Sequence, residues 1–407
     1  MKKWLISALG VLSILSAGQA FGIEGVRVNG FLTAGATYAD TAPCLGDLAC
    51  TAGPERGPVS QDGNIANQVG FANDSRFGLQ ISAKVNSKVD VTGQLLSRAR
   101  EGNYAMKANW AFVTYHVANP LAIRAGKLKL TTFLISDYLE VGYAYPWIRP
   151  PQEVYYSNPI STMNGMDMLY RVNFGRFSML IQPYYGASSG EQALVPQEVI
   201  GGVLEPYAKP NPTPPPNMLY GVQPSPPGTV AYTDFTADNM YGINVSGGTN
   251  AFTLRAGYLK TLVSAPAFGV SDKTATFSSV GGSMDWENIV LYSEYFQRKI
   301  EQDANTAFPD QKGWYATVGY RIGKFLPNVT FAKLEDNNNP VGPGYGLPLA
   351  QSSVTGGLRY ELGTGADIKF EAEEVKPLDG TRGLLIGPLP AGKSHVMIYS
   401  VALDLVF

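Results

Sequence analysis

The sequence predicts an all-β fold: a transmembrane antiparallel β-barrel of about 16 strands, with the third external loop folded into its interior. Two observations carry this prediction. Polar and apolar residues alternate residue by residue in many segments, as in strands that have water on one side and an apolar medium on the other. The connections between these segments alternate between tight turns and long loops, an asymmetry that soluble sandwiches have no reason to keep.

Alternation is clearest in the predicted strands nearest the N-terminus. Residues 27–38 set Val28 and Leu32 on one face against Arg27 and Thr33 on the other. It is weaker in the fourth and fifth predicted strands, where we assign no faces. The predicted strands are 27–38, 76–85, 89–100, 107–117, 121–130, 167–174, 177–185, 240–246, 252–260, 274–286, 289–299, 314–322, 327–334, 352–362, 367–375 and 394–407.

These strands, of about 8 to 14 residues, are long enough to cross a membrane when tilted. An even strand number places both termini on the same side and lets the last strand pair with the first, which leaves no exposed sheet edge. Aromatic residues collect near strand ends, as in the girdles at the two membrane interfaces. The long loops are predicted at 39–73, 131–165, 186–239, 300–313, 337–351 and 376–393.

One long connection, residues 131–165, is made of residues that favour burial. It is rich in aromatic and apolar side chains, and it also contains Pro146, Pro150, Pro151 and Pro159. Prolines at this density exclude a central strand and an uninterrupted helix. Such an apolar segment without a regular period is unsuited to a solvated loop tip. We therefore expect this loop to fold into the barrel and narrow its opening.

Composition and the first residues indicate an exported protein. The chain has 407 residues and a formal net charge of −2. This charge gives no indication of the basic surface that nucleic-acid-binding proteins carry. Two lysines follow Met1, then an apolar run of about 12 residues, and small residues lie near position 20. This pattern predicts a signal peptide over residues 1–20 and a barrel over 21–407. The run is too short for a membrane-spanning helix, which needs about 20 residues.

The two cysteines, Cys44 and Cys50, fall in one polar predicted loop. In an oxidising compartment we expect a local disulfide, which would add about 2 kcal/mol by closing a short loop. A zinc site is the competing interpretation, but two thiols alone supply too few ligands. We expect neither a metal site nor a cofactor.

The C-terminal segment VALDLVF, Val401 to Phe407, is apolar at alternate positions and ends on Phe. It resembles the assembly signal of Gram-negative outer-membrane proteins. The layout of the whole mature chain is similar to the trimeric sixteen-stranded bacterial porins. In this resemblance Leu134 to Tyr156 occupy the third external loop, which folds into the pore in that family. The fourth external loop, 186–239, is Pro-rich and longer than a general porin needs.

This resemblance implies a water-filled channel that passes small hydrophilic solutes and ions by passive diffusion across the cell outer membrane. It also implies a homotrimer embedded in outer-membrane lipid, with an interface formed by strands near the two termini. An outer-membrane adhesin or structural barrel that uses its long external loops is the alternative. An enzyme is not expected, because the histidines are His116 and His395 and no nucleophile motif such as G-x-S-x-G accompanies either.

Charged residues on the polar parity of the strands are the candidates for the channel lining. A charge on the lipid face at mid-membrane would cost roughly 2–4 kcal/mol, so this parity faces water. Acidic residues of the folded-in loop opposite a basic wall would set a transverse field across the narrowest point. The alternative is that several are rim charges or pairs that hold the loop. The predicted constriction residues are Asp137, Glu140 and Glu153 on the loop and Arg76, Lys84, Arg98 and Arg100 on the wall.

Overall fold

The computed structural model describes residues 24–40, 59–60, 63–65, 67–98, 104–196, 230–266, 270–301, 309–336, 349–378, 381, 383–385, 389 and 392–407. These residues form a closed antiparallel barrel of 16 strands in which each strand pairs with its neighbours in sequence and the first pairs with the last. A short separate two-stranded sheet pairs Val59–Ser60 with Gly63–Asn64. Within the same ranges, no helix is long and apolar enough to cross a membrane.

The barrel strands are numbered here in chain order. They are β1 Glu24–Ala39, β2 Arg76–Asn86, β3 Val89–Arg98, β4 Met106–Ala118, β5 Leu121–Lys129, β6 Thr162–Phe174, β7 Phe177–Pro196, β8 Val230–Gly248, β9 Phe252–Ala265, β10 Val270–Trp286, β11 Ile289–Ile300, β12 Gln311–Tyr320, β13 Phe325–Asp336, β14 Gln351–Gly363, β15 Ala366–Pro377 and β16 Val396–Val406.

The predicted fold class is confirmed, and each predicted strand overlaps an observed one. The largest differences are at β6, β7 and β8. Strand β6 begins at Thr162, inside the predicted loop, because it pairs with the end of β5. Strands β7 and β8 pair with each other as far as Pro196 and Val230. The alternating pattern predicts only the membrane-spanning part of such a strand pair. Backbone pairing can continue beyond the membrane, where no apolar pattern is required.

The barrel closes by pairing β1 with β16, from Phe31 opposite Val406 to Ala39 opposite Ile398. Beyond this register the backbone N–H of Gly30 donates to the carbonyl oxygen of Phe407 at 2.7 Å. The Phe407 ring lies over position 30, where a Cβ would come within 2.3 Å of it. The C-terminal Phe therefore packs on the first strand, at the seam of the barrel.

The outer face of the barrel wall agrees with the prediction, whereas part of the inner face does not. Large apolar side chains project outward and are exposed, among them Val280, Val318 and Phe331. The sequence predicts that the polar parity of the strands faces a water-filled lumen. Inward positions of β9–β13 instead carry buried apolar and aromatic residues, because the chain segment described next covers them: Leu259, Val263, Ala275, Phe277, Phe296, Tyr315, Ala332 and Leu334.

Candidate functional site

The connection between β5 and β6, residues 130–161, lies inside the barrel and is called the inserted loop below. It contains three short helical turns, Ser136–Tyr138, Gly142–Ala144 and Gln152–Tyr155. Its prolines prevent these turns from joining into one helix. Its residues contact inward side chains from Asn244 on β8 round to Thr37 on β1. The loop therefore folds across the lumen instead of projecting from the rim.

An apolar cluster fixes one side of the inserted loop to β10, β12 and β13. The Phe133 ring packs edge-on against Phe277, with centroids 5.2 Å apart. Trp147, 1% exposed, packs edge-on against Tyr315 at 5.5 Å. Its indole N–H donates to the hydroxyl of Thr330 at 2.9 Å. Burying side chains of this kind contributes roughly 1.5–3 kcal/mol each, so this side of the loop is held like a protein core.

A buried lysine on β15 ties the inserted loop to the last strand. The Nζ atom of Lys369 lies 3.0 Å from Oδ2 of Asp404 on β16. The same ammonium group donates to the carbonyl oxygens of Gly142 at 2.6 Å and Trp147 at 2.9 Å. A Cβ at position 142 would lie 2.1 Å from Oδ1 of Asp404, so glycine leaves room for this carboxylate. These acceptors compensate the cost of burying the ammonium group.

A second charged cluster lies where the inserted loop meets β1 and β16. The guanidinium of Arg149 donates to Asp74 at 2.6 Å and to the Ser400 hydroxyl at 2.7 Å, and it lies 3.9 Å from Glu373. Burial alone would lower the pKa of Arg149, but Asp74 and Glu373 raise it. Arg149 therefore stays charged and joins the loop to the wall.

Glu153 is also turned toward the wall, which differs from its predicted place at the opening. Its side chain is fully buried, and the amide of Gln351 on β14 donates to it at 2.8 Å. Burial raises the pKa of Glu153, and the hydrogen bond from Gln351 opposes this only in part. A carboxyl group without solvent contact cannot meet a passing ion, so the structure places Glu153 among the residues that hold the loop.

Glu140 faces the opposite side of the barrel, where β2, β3 and β5 present a basic wall. Its Oε1 atom lies 3.5 Å from Arg98 and 3.4 Å from Lys129. Beside it, Arg76 donates to the hydroxyl of Tyr145 at 2.7 Å. Burial alone would raise the pKa of Glu140, but Arg98, Lys129 and Arg76 lower it to about 2. The carboxyl group is therefore ionised at neutral pH and pairs with this wall.

Asp137 is the most accessible of the three predicted acidic residues. Its carboxylate pairs with Arg255 on β9, and 46% of its side chain is exposed. Arg255 also donates to the carbonyl oxygen of Phe133 at 2.8 Å. Asp137 thus lies at the solvent-facing surface of the loop while its partner fixes the loop's first turn.

Uncharged polar side chains continue along the inner wall from the basic residues toward the tight-turn end. The side-chain amide of Asn109 donates to Gln94 at 2.7 Å, and that of Gln94 donates to Gln80 at 3.3 Å. Further along, the hydroxyls of Ser82 and Thr92 are 3.1 Å apart. This part of β2–β4 offers a hydrogen-bonding surface of the kind that faces water.

The structure does not bring Lys84 to the inserted loop. Lys84 is exposed near the tight-turn end of β2, and eight residues of strand, about 26 Å, separate it from Arg76. Of the other predicted residues, Arg100, Cys44 and Cys50 lie outside the described residues. Among the residues that are described, no group of three or more His, Cys, Asp or Glu could hold a metal ion.

The predicted set omits Lys129 and Lys369. Lys129 ends β5, whose weak alternation gave no basis for assigning a face. Lys369 shares its strand parity with the acidic residues Asp367 and Glu371, and this polar parity could have identified it as an inward residue. Its contacts with the inserted loop depend on the path of that loop, which no local pattern specifies.

A family model described as Gram-negative porin matches residues 7–377. No curated protein matches the chain. The fold is similar to that of an anion-selective porin from Comamonas acidovorans, with a TM-score of 0.57, 12% identity and coverage of 94% of this chain and 99% of that chain. It is also similar to OmpF of Salmonella typhi in complex with daunomycin (TM-score 0.53, 12% identity, 94% and 97% covered). The outer membrane channel DcaP of Acinetobacter baumannii matches comparably (TM-score 0.52, 12% identity, 94% and 97% covered). At this identity the solved structures support the fold alone.

Proposed function

Because the chain belongs to the Gram-negative porin family, we propose that its inserted loop and the basic wall of β2, β3 and β5 form the constriction of a diffusion channel. The protein is a channel of the outer membrane through which solutes diffuse passively. Its family and fold are those of a channel rather than an enzyme. The solutes are small and hydrophilic, since the uncovered inner wall carries hydroxyl, amide and charged groups.

The contact of Glu140 with Arg98 and Lys129 is the observation that supports this assignment. It brings the loop against the wall opposite its apolar cluster, so the loop spans the lumen between these two walls. Arg76, Arg98 and Lys129 supply three positive charges around the one carboxylate of Glu140. Guanidinium groups keep their charge at any working pH, and their field reaches about 8 Å at physiological salt. The constriction therefore favours anions over cations.

Reversal potentials in a planar bilayer with a KCl gradient test this function. The wild-type channel should show an anion preference, and Arg76→Gln should reduce it while the pairing of Arg98 with Glu140 keeps the loop in place. Lys84→Gln is the matched control, because it removes one inward charge from the same strand far from the loop. Equal shifts in the two variants would contradict a constriction at this place. The absence of channel events would favour the adhesin or structural barrel.

We further infer that residues 1–20 are a signal peptide removed during export and that the mature barrel, residues 21–407, is a trimer. An apolar depression of about 510 Å³ on the outward side of β2–β5 supports a subunit contact there. Gly93 lines it, and a Cβ at this position meets nothing within 4 Å. Gly93→Trp should fill the depression and shift cross-linked species from trimer to monomer. Gly356→Trp, on the outward side of β14, is the control and should leave the cross-linked trimer unchanged.

A further inference from the structure

Lysines gather on the outward face of β12, β13 and β15 near the long-loop end of the barrel. The strand register places Trp314, Lys333, Ser352 and Lys376 in one row across β12–β15. Trp314 is 42% exposed, and outward apolar residues such as Phe331 lie one step nearer the middle of the wall. Aromatic residues in such a row mark the membrane interface. The lysines therefore lie at headgroup level.

The next row toward the long loops adds Lys312 and Glu335, which face each other across β12 and β13. The carboxylate of Glu335 lies 2.8 Å from Nζ of Lys312 and 2.7 Å from Nζ of Lys333. Three lysines against one carboxylate leave these two rows with an excess positive charge. Glu374 lies two residues from Lys376 toward the middle of the wall and has His395 at 3.7 Å.

The outward face beyond the seam between β16 and β1 is different. Near the long-loop ends of β1, β2 and β3, the outward positions include Ala36, Leu79 and Leu95. The lysine rows lie on a different part of the ring from the apolar depression proposed as the subunit contact, because β16 and β1 separate β15 from β2.

We propose that Lys333, Ser352 and Lys376 bind the headgroup phosphate of an anionic lipid in the outer leaflet. Neighbouring strands are about 4.8 Å apart, so the Cα atoms of the two lysines are about 10 Å apart with Ser352 between them. Two flexible lysine stems can converge on one phosphate above the serine hydroxyl. Trp314 and the apolar residues below the row would then contact the lipid's acyl chains. The proposal rests on outer-membrane location and is independent of what passes through the pore.

Lipid retention measured by native mass spectrometry tests the site. The barrel is reconstituted in nanodiscs of phosphatidylcholine with a minor fraction of phosphatidic acid, and phosphatidic acid should be retained preferentially. Each lysine near an anionic headgroup contributes about 1 kcal/mol, or about fivefold in affinity, so Lys333→Gln/Lys376→Gln should weaken retention about 25-fold. Glu335→Gln removes the competing carboxylate and should strengthen it several-fold. If the lysines served only an ion-pair network, Glu335→Gln would not strengthen retention, and the proposal would be overturned.

Lys324→Gln is the matched control, since Lys324 is exposed in the tight turn between β12 and β13, at the opposite membrane edge. It should leave phosphatidic acid retention unchanged. Equal loss in Lys324→Gln and in the double variant would mean general attraction to an anionic bilayer and would overturn the site. Inorganic phosphate at the lipid's concentration should displace little lipid, because it lacks the acyl contacts. Complete displacement would assign the site to free phosphate instead. Folding of each variant is checked by the mobility of the unheated barrel in gels.

Discussion

Glu140 on the inserted loop and Arg98 on β3 are paired at 3.5 Å, which joins the loop to the wall opposite its apolar cluster. Two roles were open for an inward arginine here: a free charge that acts on ions, or an anchor for the loop. For Arg98 the pairing favours the anchor. Arg76 donates to the uncharged hydroxyl of Tyr145 on the loop, so it can be replaced without removing the pair of Arg98 with Glu140.

Reversing Arg98 should therefore move the loop as well as change the field. Arg98→Glu places two carboxylates together, so we expect a larger single-channel conductance and a weaker anion preference. Arg98→Glu/Glu140→Arg restores an oppositely charged pair and should return conductance toward the wild-type value, with a coupling energy of about 1–3 kcal/mol. A double variant as conductive as Arg98→Glu would show that this pair does not position the loop.

Acid should release the same contact. The pKa of Glu140 is lowered from 4.5 to about 2, so its pairing stabilises the loop fully above pH 4.5 and is lost as pH falls toward 2. The shift corresponds to about 3 kcal/mol. Wild-type conductance should rise within this acid window. The conductance of Glu140→Gln should already be high at neutral pH and should show no further rise in acid.

Glu153→Gln is the control for this acid step. Burial raises the pKa of Glu153, so the folded protein favours the neutral carboxyl group. This contribution to stability is lost when the pH rises through the raised pKa, and lowering the pH does not remove it. The acid rise in conductance should persist in Glu153→Gln. If it disappears, the step belongs to Glu153 rather than Glu140.

Lys369→Met should destabilise the folded barrel by leaving Asp404 buried without its cation. Removing one partner of a buried pair typically costs about 3–5 kcal/mol. The temperature at which the barrel unfolds, measured as the loss of the folded barrel's mobility in gels, should fall. Lys369→Met/Asp404→Asn removes both charges and should lose less stability than Lys369→Met alone. Equal stability of Lys369→Met and the wild type would mean that neither the ion pair nor the hydrogen bonds to the loop carbonyls stabilise the barrel.

Deleting residues 137–153 should enlarge the pore without unfolding the barrel, because the barrel's backbone hydrogen bonds run between strands and not through the loop. Conductance should increase, and thermal stability should fall because the apolar inner wall loses its cover. Single-channel recording and gel mobility measure the two effects. Unchanged conductance with an intact barrel would mean that the loop does not obstruct the lumen.

Cys44 and Cys50 should be linked in the exported protein. Mass spectrometry of unreduced peptides should show the linked pair lighter by the mass of two hydrogens. Reduced peptides from the same sample are the control. Two free thiols after export would contradict the disulfide without affecting the barrel.

Strand number, pairing order and the infolded loop were predictable, because alternation and turn spacing are local properties of the chain. The partners of the loop were not. Glu153 and Glu140 look alike in the sequence, yet one is buried against Gln351 and the other pairs with Arg98 and Lys129. These contacts depend on the three-dimensional path of a loop without a regular period. The apolar inner wall was missed for the same reason, since its aromatic residues become acceptable only when the loop covers them.

The close approach of Gly142 to Asp404 also has a consequence for biogenesis. The inserted loop is synthesised well before Asp404, which belongs to the last strand, and its seat includes that side chain and Lys369. This seat is complete only when β16 has paired with β15. The final position of the loop is thus coupled to the addition of the last strand.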